Sequence, residues 1–177
     1  ENYESLSMEG YGPGGVAVMC DVLTDNRNRA ASEIRHAFSK GNGNLGTSGC
    51  VAYMFQRKGI IFIEKNEAEG VDEDTVMMVA LDGGAEDITE EDNGFEVITT
   101  PDDFETVTTA LEENEIPTQS AQILNIPDTR VELTGTEAEQ FLRMIDLLDD
   151  CEDVQEITHN AEIPASELER IQSKPTQ

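Results

Sequence analysis

The chain has 177 residues, of which 38 are Asp or Glu and 11 are Lys or Arg, giving a formal net charge of -27. That charge argues against loose binding to duplex DNA or to an anionic bilayer, no apolar run approaches the roughly 20 residues a membrane span needs, and nothing resembles a signal peptide. Cys20, Cys50 and Cys151 form an odd set without CxxC spacing, which points to structural thiols in a reducing compartment, the cytoplasm or a mitochondrial matrix, rather than to a metal site.

Residues 15–24, GVAVMCDVLT, form a short apolar, β-branched run entered from Gly and Pro turn residues, and predict a buried strand. Asp25 offers a side-chain cap for a helix over 26–40, whose apolar stripe Ala30, Ala31, Ile34, Ala37 and Phe38 recurs at spacings of three and four. Its opposite face collects Asn28, Arg29, Ser32, Glu33, His36, Ser39 and Lys40, with Arg27 and Arg35 near the edges of the stripe; Gly41 stops it. A loop rich in Gly and Asn leads to a strand over 50–55.

From Gly59 the pattern changes: strand 60–63, helix 72–81, strand 85–89, a hairpin turn at Asn93-Gly94, strand 95–99, a helix opened by Pro101 and a last strand over 121–126. That order is the one of a ferredoxin-like fold. A strand over 131–134 then precedes a helix over 136–148 with Ala138, Phe141, Leu142, Ile145 and Leu148 inward, Thr136 and Glu139 fitting a capping box. A strand over 154–158 follows, and the tail beyond Arg170 is expected to fray.

The cations are unevenly placed: six of the eleven fall between Thr24 and Ile60, and none between Asn66 and Thr129. Arg27, Asn28, Arg29, Arg35 and Lys40 lie on one helix, Asn42 and Asn44 on the loop after it, and Arg57 and Lys58 at the end of the next strand. Two roles are open to this set. The Arg fork suits phosphate and Asn can read base edges or 2′-hydroxyls; alternatively Arg29 pairs with Glu33 at i,i+4, and Arg27 and Arg35 satisfy acids of their own domain. The acidic remainder is either a solvated surface or a face for basic proteins.

Other motifs carry less. Residues 41–46 spell GxGxxG, but a helix precedes and a strand follows, the reverse of a dinucleotide site, so the motif reads as a helix stop and turn. Residues 12–15, GPGG, lack the ending of a phosphate loop and read as a turn whose bare backbone can approach a sugar-phosphate strand. His36 is placed on a helix surface and His159 at a strand end, where turn hydrogen bonding is the default role. No residue is assigned a catalytic role, and no metal or cofactor is expected.

GYGPGG at 10–15, LTDNRNR at 23–29, RHAFSK at 35–40, GNLGT at 43–47, IDLLDD at 145–150 and DVQEITHNAEIP at 153–164 resemble the YebC/PmpR family over nearly the whole chain. The resemblance implies an α+β fold in which a discontinuous domain, 1–57 plus 128–177, is interrupted by an inserted acidic ferredoxin-like domain at 58–127. It also implies a basic helical domain ahead of residue 1, so the chain is expected to be a truncated or processed form. Function by resemblance is non-enzymatic regulation of gene expression in the cytoplasm, through ribosomal RNA and relief of stalled translation, or alternatively through DNA as a transcriptional regulator. A ligand-binding regulatory module is a third reading, from the fold alone.

Overall fold

The structure is a computed structural model that describes residues 2–65 and 72–173. The chain divides into two compact units, Glu1–Phe55 with Pro127–Gln177, and Gln56–Ile126. Both are α+β.

The first unit is built on a four-stranded sheet of order β3-β1-β2-β9, comprising β1 (Glu4–Tyr11), β2 (Ala17–Thr24), β3 (Asn44–Leu45) and β9 (Val154–His159). β1 is a strand that the sequence reading passes over, although Leu6 and Met8 alternate with Ser5, Ser7 and Glu9 at a period of two. It pairs antiparallel with β2 along its whole length, Glu4 opposite Thr24 through Tyr11 opposite Ala17. The residues over 13–15 are a tight 3-10 turn, so β2 begins two residues later than the apolar run suggests.

One face of this sheet carries Met8, Val18, Cys20 and Val22, which pack on Ala30, Ile34, Ala37 and Phe38 of α1 (Arg27–Lys40) and on Ala138, Phe141, Met144 and Leu148 of α4 (Gly135–Asp149). The α1 stripe is as expected apart from Ala31, which is half-buried; in α4, Met144 lies fully buried while Leu142 and Ile145 are half-buried. α1 is capped by Asn26, whose side chain accepts from the Arg29 N–H, rather than by Asp25. Thr134, not Thr136, is the N-cap residue, and it makes no side-chain cap bond. α4 starts one residue earlier, at Gly135, and its first N–H donates to Glu167 Oε1 at 2.6 Å, a carboxylate on α5 (Ala165–Gln172). α5 continues past Arg170 to Gln172, and residues 174–177 lie outside the described residues.

A second, small core lies on the other face of the sheet. Val51 and Phe55 cover Ala17 and Met19 there. The strand expected over 50–55 is instead a turn with a 3-10 segment at Ala52–Met54; extended backbone begins at Phe55 and runs to Glu64 as β4. The short parallel pair β8 (Val131–Glu132) and β10 (Ala161–Glu162) closes the unit. Buried Asn160 ties it to β2: its Oδ1 accepts from the Ala17 N–H at 2.8 Å and its carbonyl accepts from the Val131 N–H at 2.8 Å.

The second unit runs β4, α2 (Glu73–Asp82), β5 (Asp87–Glu91), β6 (Gly94–Thr99), α3 (Phe104–Glu113) and β7 (Ser120–Pro127), with sheet order β5-β6-β4-β7. This is the split βαβ arrangement of a ferredoxin-like fold. Alternate residues Ile61 and Ile63 of β4 and Phe95 and Val97 of β6 pack on Val76, Val79 and Ala80 of α2 and Val107 and Leu111 of α3. The β5–β6 hairpin turns at Asp92-Asn93, so Gly94 is already paired, opposite Glu91. The helix after Pro101 begins only at Phe104; residues 101–103 form a turn held by the Asp103 N–H donating to Thr100 Oγ1.

Candidate nucleic-acid interface

The cation-bearing helix α1 is amphipathic, and Arg27, Asn28, Arg29, Arg35 and Lys40 are all exposed on it. They do not form one patch. Thirteen residues separate Arg27 from Lys40, about 20 Å along a helix at 1.5 Å per residue, and the acids are distributed unevenly between those two ends.

At the N-terminal end, Arg29 is committed to the fold. One of its guanidinium nitrogens, Nη2, donates to Asp25 Oδ1 at 3.0 Å and to Asp153 Oδ2 at 2.9 Å. The i,i+4 pair with Glu33, one of the two roles open to Arg29 from the sequence, is not the one made. Asp153, in the loop before β9, also accepts from Thr24 Oγ1 at 2.9 Å, and its carbonyl accepts from the Leu23 N–H. Hydrogen bonding from Arg29 holds the Asp153 carboxyl below its usual range, with burial working against it. Glu33, Asp150 and Glu152 complete a shallow acidic recess around Arg29. Arg27 and Arg35 make no ion pair among the described residues, so the acids of their own domain do not satisfy them.

The C-terminal end of α1 is different. Residues 34–63 contain no Asp or Glu, in a chain with 38 of them. Lys40 is exposed, Gly41 caps the helix, and Asn42 takes the left-handed conformation at φ 61°, a role often filled by Gly but open to Asn. The chain then re-enters the sheet as β3, with Tyr11 opposite Asn44 and Gly10 opposite Leu45. Gly43 is required by this approach, because a Cβ there would overlap the Tyr11 carbonyl oxygen. The GxGxxG pattern therefore serves backbone packing.

The loop that follows is held from below by a residue the sequence reading did not single out. Glu9 points to the second face of the sheet and is 3% exposed. Its carboxylate accepts from the N–H of Gly49 at 2.7 Å, Val51 at 3.0 Å and Ala52 at 2.7 Å. Burial alone would raise its pKa, but the three donors outweigh it and hold the carboxyl below its ordinary 4.5. The one visible signal for Glu9 is its place in the alternating ESLSMEGY run, where a carboxylate next to a core face needs donors. The loop presents Tyr53 at 72% exposure, and Tyr11, at the end of β1 and 37% exposed, donates its hydroxyl to the Cys50 carbonyl at 3.4 Å.

The remaining predicted residues lie elsewhere. Asn42 and Asn44 are both exposed at the loop just described. Arg57 and Lys58 fall in the second unit, on β4, where Lys58 pairs with Glu86 at 2.6 Å. His36 is exposed, as expected. His159 packs edge-on to Phe141 at 4.9 Å, and its Nδ1 accepts from the Ala161 N–H, the turn bond expected of it. Burial first, then the charge of Arg130, lowers its pKa. Cys20 is fully buried and its thiol is pushed up to about 12, as befits an inert core thiol, whereas Cys50 and Cys151 are half-buried. No cluster of metal-ligating side chains occurs among the described residues, and none of their helices is long and apolar enough to cross a membrane.

Fold and surface together define a two-unit α+β protein with an acidic inserted unit and, on the other, a loop that carries no acid of its own. The family model described as the TACO1/YebC second and third domain matches residues 3–161. A "Probable transcriptional regulatory protein" of Clostridium perfringens is 55% identical over 163 residues, 92% of this chain and 65% of that protein. One of the same name from Natranaerobius thermophilus is 48% identical over 168 residues, 95% of this chain and 67% of that one. The crystal structure of a conserved hypothetical protein from Aquifex aeolicus superposes with a TM-score of 0.74 at 40% identity, over 93% of this chain and 67% of that one. The chain belongs to the TACO1/YebC family, and it spans about 65% of the length of the first of these relatives.

Proposed function

We propose that the chain is the partner-contacting part of a non-enzymatic regulator of gene expression that works on the ribosome in the cytoplasm, engaging ribosomal RNA and relieving stalled translation. The supporting observation is the charge contrast. In a chain of -27, residues 34–63 are free of acids, and Arg27, Arg35 and Lys40 have no ion-pair partner among the described residues. A long duplex would meet repulsion from the rest of the surface, whereas a compact face fits a folded RNA crevice. The inserted unit, with Arg57, Lys58 and Lys65 as its cations against nineteen acids, is suited to solvent or to basic ribosomal proteins.

The test is co-sedimentation with purified ribosomes across a salt series, comparing the chain with a variant in which Arg27, Arg35 and Lys40 are all changed to Glu. Salt-sensitive binding lost in the variant supports the reading; equal binding by both removes these cations from it. The printed names of the relatives favour a second reading, transcriptional regulation through DNA. A matched assay on duplex DNA separates the two. A small-metabolite role for the inserted unit predicts a rise in its thermal midpoint with ligand.

A further inference from the structure

An exposed aromatic step stands on the loop whose own residues carry no acid, with Asp128 next to it through its N–H bond to the Met54 carbonyl. Tyr53 is the most exposed of the large apolar side chains, and Tyr11 lies beside the same turn through its bond to the Cys50 carbonyl. Asn44 and Ala17 are the cross-strand neighbours of Tyr11, so all three side chains emerge on one face of the sheet. That puts the exposed Asn44 amide next to the Tyr11 ring. Burial first, then the nearby Tyr53 hydroxyl, raises the pKa of Tyr11.

Three features bear on what covers this step. The loop is rigidified from beneath by Glu9, whose charge is turned inward and spent on backbone N–H groups, so no exposed carboxylate from the loop repels an anion. The same loop has open backbone at Gly49, where a Cβ would meet nothing, whereas at Gly46 it would meet the Cys50 Sγ. Lys40 and Asn42 are exposed at the neighbouring end of α1. An apolar protein partner would not need an acid-free stretch with flanking amides, whereas a base with its phosphate uses a π-face, an edge acceptor or donor, and a cation.

We infer that Tyr53 and Tyr11 form a stacking platform for an unpaired RNA base, with Asn44 at the base edge and Lys40 toward the phosphate. The inference rests on the RNA reading above and assigns its contact to particular side chains.

The chain has three tyrosines and no tryptophan. In a Tyr3→Phe background its intrinsic emission comes from the two proposed residues alone. Titration with a short single-stranded oligoribonucleotide of mixed sequence is expected to quench that emission. Anisotropy of the labelled oligonucleotide is expected to show about tenfold weaker binding for Tyr53→Leu, which keeps apolar area but loses the π-face, and near wild-type binding for Tyr53→Phe. Tyr53 is exposed enough that neither change should disturb the fold, and circular dichroism checks this. Equal affinity for Tyr53→Leu, or unquenched emission at saturation, overturns the platform. If ribosome co-sedimentation persists in that case, the RNA reading survives without it. If Tyr53→Leu loses ribosomes but keeps the oligonucleotide, the face meets a ribosomal protein and the platform is again overturned.

Discussion

Removing the Glu9 carboxylate should release the 46–54 loop from the sheet, and the structure allows its cost to be worked out. Three N–H groups depend on it, and they are not equivalent. Val51 is fully buried, so its N–H has no access to water once the carboxylate is gone, while Gly49 and Ala52 are exposed and can be solvated. Orphaning one buried donor costs about 1–3 kcal/mol, and losing charge-assisted bonds that water only partly replaces adds a similar amount, so Glu9→Ala is expected to cost about 3–5 kcal/mol. Glu9→Gln keeps one oxygen where Val51 and Ala52 donate but turns an NH₂ toward Gly49, and should cost about 2 kcal/mol.

The pH dependence has a definite sign. The folded pKa lies below the unfolded 4.5, so the unfolded state binds more protons as the solution is acidified. The contribution of Glu9 is fully present above 4.5 and is lost as pH falls below it toward the folded value. Hydrogen exchange of the Gly49, Val51 and Ala52 amides is the direct assay, because it reads the loop rather than the average of two units. Wild type should lose protection at these amides below pH 4.5 more steeply than Glu9→Gln does. Equal protection in wild type and Glu9→Gln at neutral pH, with the same loss on acidification, would refute the anchoring role.

Arg29→Ala breaks two ion pairs, but Arg29 is about half exposed, so a loss of about 1 kcal/mol is expected in urea denaturation, against no more than about 0.5 for Arg27→Ala. Gly43→Ala drives a Cβ into the Tyr11 carbonyl and should cost about 1–3 kcal/mol, seen as early exchange of the Gly46 amide, which donates to the Glu9 main-chain carbonyl across the same strand edge. His159 has a folded pKa below its ordinary 6.5, so its contribution is present above that value and is lost as pH falls through it. His159→Gln should therefore flatten the stability-versus-pH curve just below 6.5 in thermal denaturation at graded pH.

Much of the fold was legible because it is written in local periodicity. The stripe at Ala30, Ile34, Ala37 and Phe38, the apolar run at 60–63 and the order of elements through the second unit follow from local pattern, which any stretch of chain displays by itself, whereas the burial of alternate residues Ile61 and Ile63 appears only in the fold. The reversed helix-then-strand context of GxGxxG was equally readable. What the sequence could not show were partners. Glu167 caps α4 from 32 residues away, Asp153 binds Arg29 from 124, and Glu9 holds a loop about 40 residues on, so each depends on which elements the topology brings together. The acid-free stretch after Glu33 can be read along the chain, but only the folded chain shows that Arg29 is taken up by Asp25 and Asp153 while Arg27, Arg35 and Lys40 pair with no acid among the described residues, because a charge on a helix is partnered by what packs beside it.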